Sequence, residues 1–112
     1  MQYIIELKDL DQLISESDIP VLLQFSSHTC PRCGPFTTYI TELSRDFTFQ
    51  HIVVAVTNAP TIVQQYNVTK LPAFVILSSE GEGAVFQSST EENAYSAIRA
   101  VCIPKLRFDD NF

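Results

Sequence analysis

No stretch of this chain approaches the roughly 18 to 20 consecutive apolar residues that a membrane-crossing helix requires, so a membrane span is excluded. Basic residues are scarce. Seven Lys and Arg stand against thirteen Asp and Glu, a formal net charge of −6 over 112 residues. The few cations form no cluster able to neutralise a phosphate backbone, which argues against nucleic acid as a partner. Repeats, linkers and low-complexity tracts are absent, and the length suits one domain over residues 1–112, with residues 104–112 expected as a partly ordered tail carrying Phe108 and Phe112. The segment Met1-Gln2-Tyr3 has neither the basic region nor the small-residue cleavage site of a secretory signal. The expected compartment is therefore reducing and intracellular, namely the cytoplasm.

Cysteine is sparse too, with three residues in all. An apolar share of 46% can build a core without disulfide staples, so the cysteines are open to another use. Two of them form Cys30-Pro31-Arg32-Cys33, directly after the apolar run at 21–25. A dithiol closing a two-residue loop at the end of a buried strand suits reversible thiol and disulfide exchange. The same spacing is half of a zinc site, and His28 precedes it by two residues. The other half is missing locally, because Cys102 and His51 lie in unrelated segments that would have to converge by folding. Two idle cysteines are the third alternative.

Within the loop, Pro31 has no N–H to lose at the start of a helix, and Arg32 sets a permanent positive charge beside the sulfurs. A helix beginning at Pro31 would aim its free N–H groups at Cys30 and place Cys33 one turn inside, more shielded. Cys30 is then the nucleophile and Cys33 the resolving thiol, with the Cys30 thiol below the ordinary value of about 8.5. Cys102 reads as a small buried hydrophobe, and Arg32, His28 and Lys70 as local positive or polar groups that are otherwise solvated.

Hydrophobic periodicity places the loop in a larger order. Residues 3–7 suggest a strand, and Asp9 or Asp11 can cap a short helix that brings Leu10, Leu13 and Ile14 to one face. Residues 21–25 barely alternate and read as a strand buried on both faces. Phe36, Tyr39, Ile40, Leu43 and Phe47 recur at helical spacing, ending near Asp46. Residues 51–56 form a second buried strand, and a turn at 57–60 leads to a short helix through Ile62, Val63 and Tyr66. Residues 73–77 form a strand turned by Glu80-Gly81-Glu82-Gly83 into an antiparallel partner at 84–87. Ser89 or Thr90 caps a last helix whose apolar face carries Tyr95, Ile98, Val101 and Cys102. The class is α/β, in the order βαβαβαββα, with a mixed central sheet flanked by helices on both faces.

With the dithiol ending the second strand and a lone proline opening the strand at 73, the chain resembles the thioredoxin family from about Tyr3 to about Ile103. The resemblance implies the thioredoxin fold and a cis peptide bond at Leu71–Pro72 lying against the dithiol. It implies that Leu71 and Pro72 hold an extended substrate chain; Arg32, from its own place between the cysteines, would favour the thiolate and attract an acidic peptide. Departures accompany it. That family carries Trp-Cys-Gly-Pro-Cys, whereas this chain reads Thr29-Cys30-Pro31-Arg32-Cys33 and contains no tryptophan. Gln24 stands where the family has a buried acid that assists the resolving thiol, and Gln24 cannot titrate. Thr38 replaces the helix-kinking proline, with Pro35 nearer the start. The inner Pro-Arg pair resembles glutaredoxins and oxidising exchangers, but Ser88-Ser89-Thr90-Glu91 lacks the glycines of a glutathione site.

These observations predict an oxidoreductase that exchanges disulfides with protein or peptide substrates through Cys30 and Cys33. It would need no cofactor and no metal, only an external reductant. The loss of the acid and the tryptophan leaves a second class open, a thioredoxin-like binding or assembly module with little redox turnover.

Overall fold

A computed structural model describes residues 2–4, 6–78 and 81–105. In chain order the elements are β1 (Gln2–Tyr3), α1 (Leu7–Glu16), β2 (Val21–Ser26), α2 (Cys33–Leu43), β3 (Phe47–Thr48), β4 (Gln50–Ala55), α3 (Pro60–Gln65), β5 (Ala73–Ser78), β6 (Gly81–Glu82), α4 (Glu91–Val101) and β7 (Ile103–Pro104). Five strands form the main sheet in the order β1-β4-β2-β5-β6. The β1, β4 and β2 strands run parallel, while β5 is antiparallel to β2 and β6 to β5. This is the mixed sheet that the resemblance implies.

The central strands alternate between two cores. Val21, Leu23 and Phe25 of β2, with Ile52 and Val54 of β4, pack with Leu10 of α1 and Ile62 of α3. Leu22 of β2, with Phe74 and Ile76 of β5, faces the other way onto Phe36 and Ile40 of α2 and Ala94 and Ile98 of α4. Helices therefore cover both faces, which is why residues 21–25 and 73–77 read as apolar runs with almost no alternation.

Several boundaries differ from the expected ones. Leu7 belongs to α1 and not to the first strand, since it continues the spacing of Leu10, Leu13 and Ile14. Glu6 is the N-cap without a side-chain bond, so Asp9 lies in the first turn and complements the helix dipole there. The α2 helix ends at Leu43, and Phe47 is buried from β3. The β3 strand pairs with β7 through Phe47↔Pro104 and Thr48↔Ile103, a small second sheet that periodicity over such short segments cannot show. Pro104 and Lys105, the first residues of the expected tail, are anchored: the Lys105 N–H donates to the Asp46 carbonyl and its Nζ to the Ser44 carbonyl, both at 2.8 Å. Phe108, Phe112 and Glu80 lie outside the described residues.

The hairpin after β5 is antiparallel as expected but starts earlier. Leu77 pairs with Glu82 and Ser78 with Gly81, the first residue of β6, whose φ is 112°. Pairing resumes as Phe74↔Phe86, which takes four steps on one strand against three on the other, so one residue is bulged. The rings of Phe74 and Phe86 stack with centroids 4.8 Å apart.

Thr90 caps α4 by accepting from the Asn93 N–H, and Asn93 returns a bond to the Thr90 N–H. The face of α4 is narrower than expected. Ala94, Ile98 and the C-cap Cys102 are buried, whereas Tyr95 is 40% and Val101 45% exposed. The fully buried positions are the stripe at every fourth residue, with Ala97 partly buried beside it. Accordingly, Ile98→Ala should cost about 2–5 kcal/mol of unfolding free energy, while Val101→Ala should stay within about 0.5 kcal/mol. Urea unfolding of the two variants checks this, and equal losses would show that the buried stripe is misassigned.

Candidate functional site

The dithiol loop hangs from the carboxyl end of β2. Its turn is held by the Cys30 N–H donating to the Ser27 carbonyl at 3.1 Å and by the Thr29 N–H donating to Ser27 Oγ at 3.3 Å. The helix that follows begins at Cys33, with Arg32 as its N-cap, and not at Pro31 as expected. Pro35 supplies the reason. A helix from Pro31 needs residue 35 to donate to the Pro31 carbonyl, and proline has no N–H. The first full helical bond is therefore from the Phe36 N–H to the Arg32 carbonyl, at 3.1 Å. Pro35 itself sits in the first turn, where a missing N–H costs nothing.

Cys30 and Cys33 are joined in a disulfide with Cα atoms 5.4 Å apart. Cys33 opens the helix instead of lying a turn inside it, yet it is the shielded sulfur, 1% exposed, while Cys30 is half-buried. Exposure thus favours attack at or by Cys30. Cys102 is free and buried, and burial pushes its thiol up to about 11, so it stays protonated. Among the described residues no three His, Cys, Asp or Glu side chains gather as a metal site would require.

Strand register brings the proline loop to the same end of the sheet. Phe25 of β2 pairs with Ala73 of β5, so Pro72 lies level with Ser26, where the dithiol turn leaves the sheet. The Leu71–Pro72 bond is cis. Arg32 is exposed and is also tied across this gap: its Nη2 donates to the Ser89 carbonyl at 2.5 Å, and the Ser89 N–H donates to the Pro72 carbonyl at 2.9 Å. The loop before Pro72 is fastened by Gln87, a residue not singled out from the sequence. Its Oε1 accepts from the N–H groups of Thr69 and Lys70 at 2.7 and 2.9 Å. A cleft of about 630 Å³ opens on the other side of Cys30, lined by His28, Cys30, Pro31, Thr37, Thr57 and Asn58 among others. Neither Leu71 nor Pro72 lines it.

Beneath the dithiol, Gln24 is wholly buried in the middle of β2. Its Nε2 lies 2.7 Å from Thr37 Oγ1, and its Oε1 lies 2.7 Å from Nε2 of His51, which is 5% exposed. His51 was expected to stand apart from the active loop, but β4 pairs beside β2 and brings it there. A signal was present: Gln24 and His51 are polar residues inside two strands buried on both faces, and buried polar groups find partners. Burial is the main cause that holds the imidazole well below its usual value, at about 4.

The sign of the resulting pH effect is definite. An unfolded-chain histidine takes up its proton near pH 6.5, whereas the folded His51 resists protonation down to about pH 4. Its contribution is complete above pH 6.5, is lost as pH falls from there toward 4, and changes no further below. Between pH 7 and 4.5 the wild type should lose on the order of 2 kcal/mol more than His51→Gln, which has no ring to titrate. Urea unfolding at the two pH values measures the difference, and equal losses would show that His51 is not held neutral by the fold.

The family model for thioredoxin matches residues 2–101. Among solved structures, Fasciola hepatica thioredoxin superimposes with a TM-score of 0.81 at 21% identity, covering 90% of this chain and 99% of that one. The oxidized mitochondrial thioredoxin 3 of Saccharomyces cerevisiae gives 0.81 at 18% identity, covering 90% and 95%. The reduced Schistosoma mansoni thioredoxin pre-protein gives 0.81 at 17%, covering 89% and 96%. A search of curated protein sequences gave no match. The structural likenesses establish the fold, and the matched model spans nearly the whole described chain with the Cys30–Cys33 pair in place. The chain belongs to the thioredoxin family.

Proposed function

We propose that this protein is a cytoplasmic protein-disulfide oxidoreductase that exchanges disulfides with protein or peptide substrates. The observation that carries this reading is the asymmetry of the dithiol, with Cys30 within reach of solvent and Cys33 buried at the start of α2. In the reducing direction, the Cys30 thiolate attacks one sulfur of a substrate disulfide. That S–S bond breaks, its other sulfur leaves as a thiolate, and a mixed disulfide forms on Cys30. The Cys33 thiolate then attacks the Cys30 sulfur, releases the second substrate thiol and leaves the internal disulfide. An external dithiol reductant returns the pair to its starting state. The oxidising direction runs the same steps in reverse.

Substrate would lie along the loop at Leu71 and Pro72, level with the end of β2, as an extended segment making backbone hydrogen bonds. Arg32 stands at this edge, two residues from Cys30 in the chain, with its guanidinium on the Ser89 carbonyl. That charge favours the thiolate and the approach of acidic substrate segments.

Replacing Cys30 by Ser should abolish reduction of an insulin-like disulfide substrate. Replacing Cys33 by Ser should leave the first attack intact and accumulate mixed disulfides, visible on non-reducing gels. Full turnover by the Cys30 variant would remove the assignment. Arg32 and the helix start also predict a couple more oxidising than the approximately −270 mV of thioredoxin. Equilibration in glutathione buffers, read by thiol alkylation, reports the potential, and Arg32→Ala should shift it downward. A potential equal in wild type and variant would exclude the electrostatic role of Arg32.

A further inference from the structure

Buried Gln24 and His51, with partly buried Thr37, form a chain under the dithiol whose proton positions can be deduced. The Cys33 carbonyl can only accept, so the Thr37 hydroxyl, 2.8 Å away, donates to it. With its proton committed, Thr37 Oγ1 accepts from Gln24, which requires the amide nitrogen to face Thr37. The Gln24 oxygen then faces His51 and can only accept, so the His51 Nε2 carries the ring proton. Among the described residues His51 Nδ1 is buried with no partner, and the Gln24 oxygen is the one hydrogen-bond partner of this ring.

A threonine hydroxyl bonded to the carbonyl four residues back is ordinary in helices. What is unusual is that this hydroxyl is saturated from the sheet side by an amide whose orientation is set by a histidine on a neighbouring strand. The three bonds tie the first turn of α2, which begins with Cys33, to β2 and β4. Without the His51 donor, the Gln24 amide is free to flip and present its oxygen to Thr37. The hydroxyl would then turn away from the Cys33 carbonyl, and the backbone of the resolving cysteine would lose a restraint.

Building on the thiol-disulfide reading above, we propose that His51 is a positioning residue for the resolving step, acting through Gln24 and Thr37 on the backbone of Cys33. It touches neither sulfur nor substrate in this role. The attack by Cys30, which precedes α2 and is held by the Ser27 turn, does not depend on it.

The test separates the two half-reactions by rapid mixing of the reduced protein with a disulfide peptide and acid quenching. In His51→Leu the mixed disulfide should persist on the order of tenfold longer while the rate of its formation is unchanged, since small misplacements of reacting groups cost rate steeply. His51→Gln, whose amide N–H can take the place of Nε2–H, should restore most of the resolving rate. Thr37→Val should show the same defect as His51→Leu, and the double variant should be no slower than either alone. If His51→Leu fails to fold, Thr37→Val alone decides: slow resolution supports the proposal and wild-type resolution overturns it. Wild-type resolution in a folded His51→Leu protein, or an equal slowing of both half-reactions, would overturn it as well. Loss of the first attack in Cys30→Ser is required by the wider reading and is unaffected by either result.

Discussion

The fold is organised around a single demand, that β2 be hydrogen-bonded along both edges and covered on both faces. Its register with β4 and β5 is continuous over its length. The two cores take alternate side chains of the same strand, so helices must lie above and below it. Everything chemical hangs on where this strand stops. The dithiol turn leaves its carboxyl end, and antiparallel pairing with β5 forces the residue before Ala73 to the same level. A one-residue slip in either ladder would swap the two cores and separate the cysteines from Pro72.

The same demand creates the polar problem that distinguishes this chain. A strand enclosed on both faces leaves no route to water for a glutamine at its centre. Gln24 is therefore satisfied inside the protein, by Thr37 on one side and His51 on the other. The His51 ring in turn is kept neutral because burial opposes its charge. One polar residue in the core thus carries two others with it, and the three together connect the sheet to the turn that holds Cys33.

Local rules and tertiary pairing divide the site between them. Pro35 acts locally: by lacking an N–H it moves the start of α2 to Cys33, which is buried while Cys30 before it is half-buried. Arg32 acts through the tertiary structure. From the loop alone it is a free cation, but the approach of the Ser89 backbone gives it a carbonyl to bind and joins the dithiol loop to the proline loop. The second sheet of β3 and β7 belongs to the same class, because strands this short are defined by their partner and not by their own pattern.

By itself the sequence determined the α/β order, the two enclosed strands, the dithiol at a strand-to-helix junction and the capping of α4. Each of these is written in neighbours within a few residues: apolar spacing, proline and glycine positions, cap residues. The tertiary structure decided the pairing of His51 with Gln24, the tether from Arg32 to Ser89, the bulge before Phe86 and the width of the buried stripe on α4. These depend on which strands become neighbours and in what register. That information is carried by contacts between residues 12 to 57 positions apart, which local periodicity does not encode.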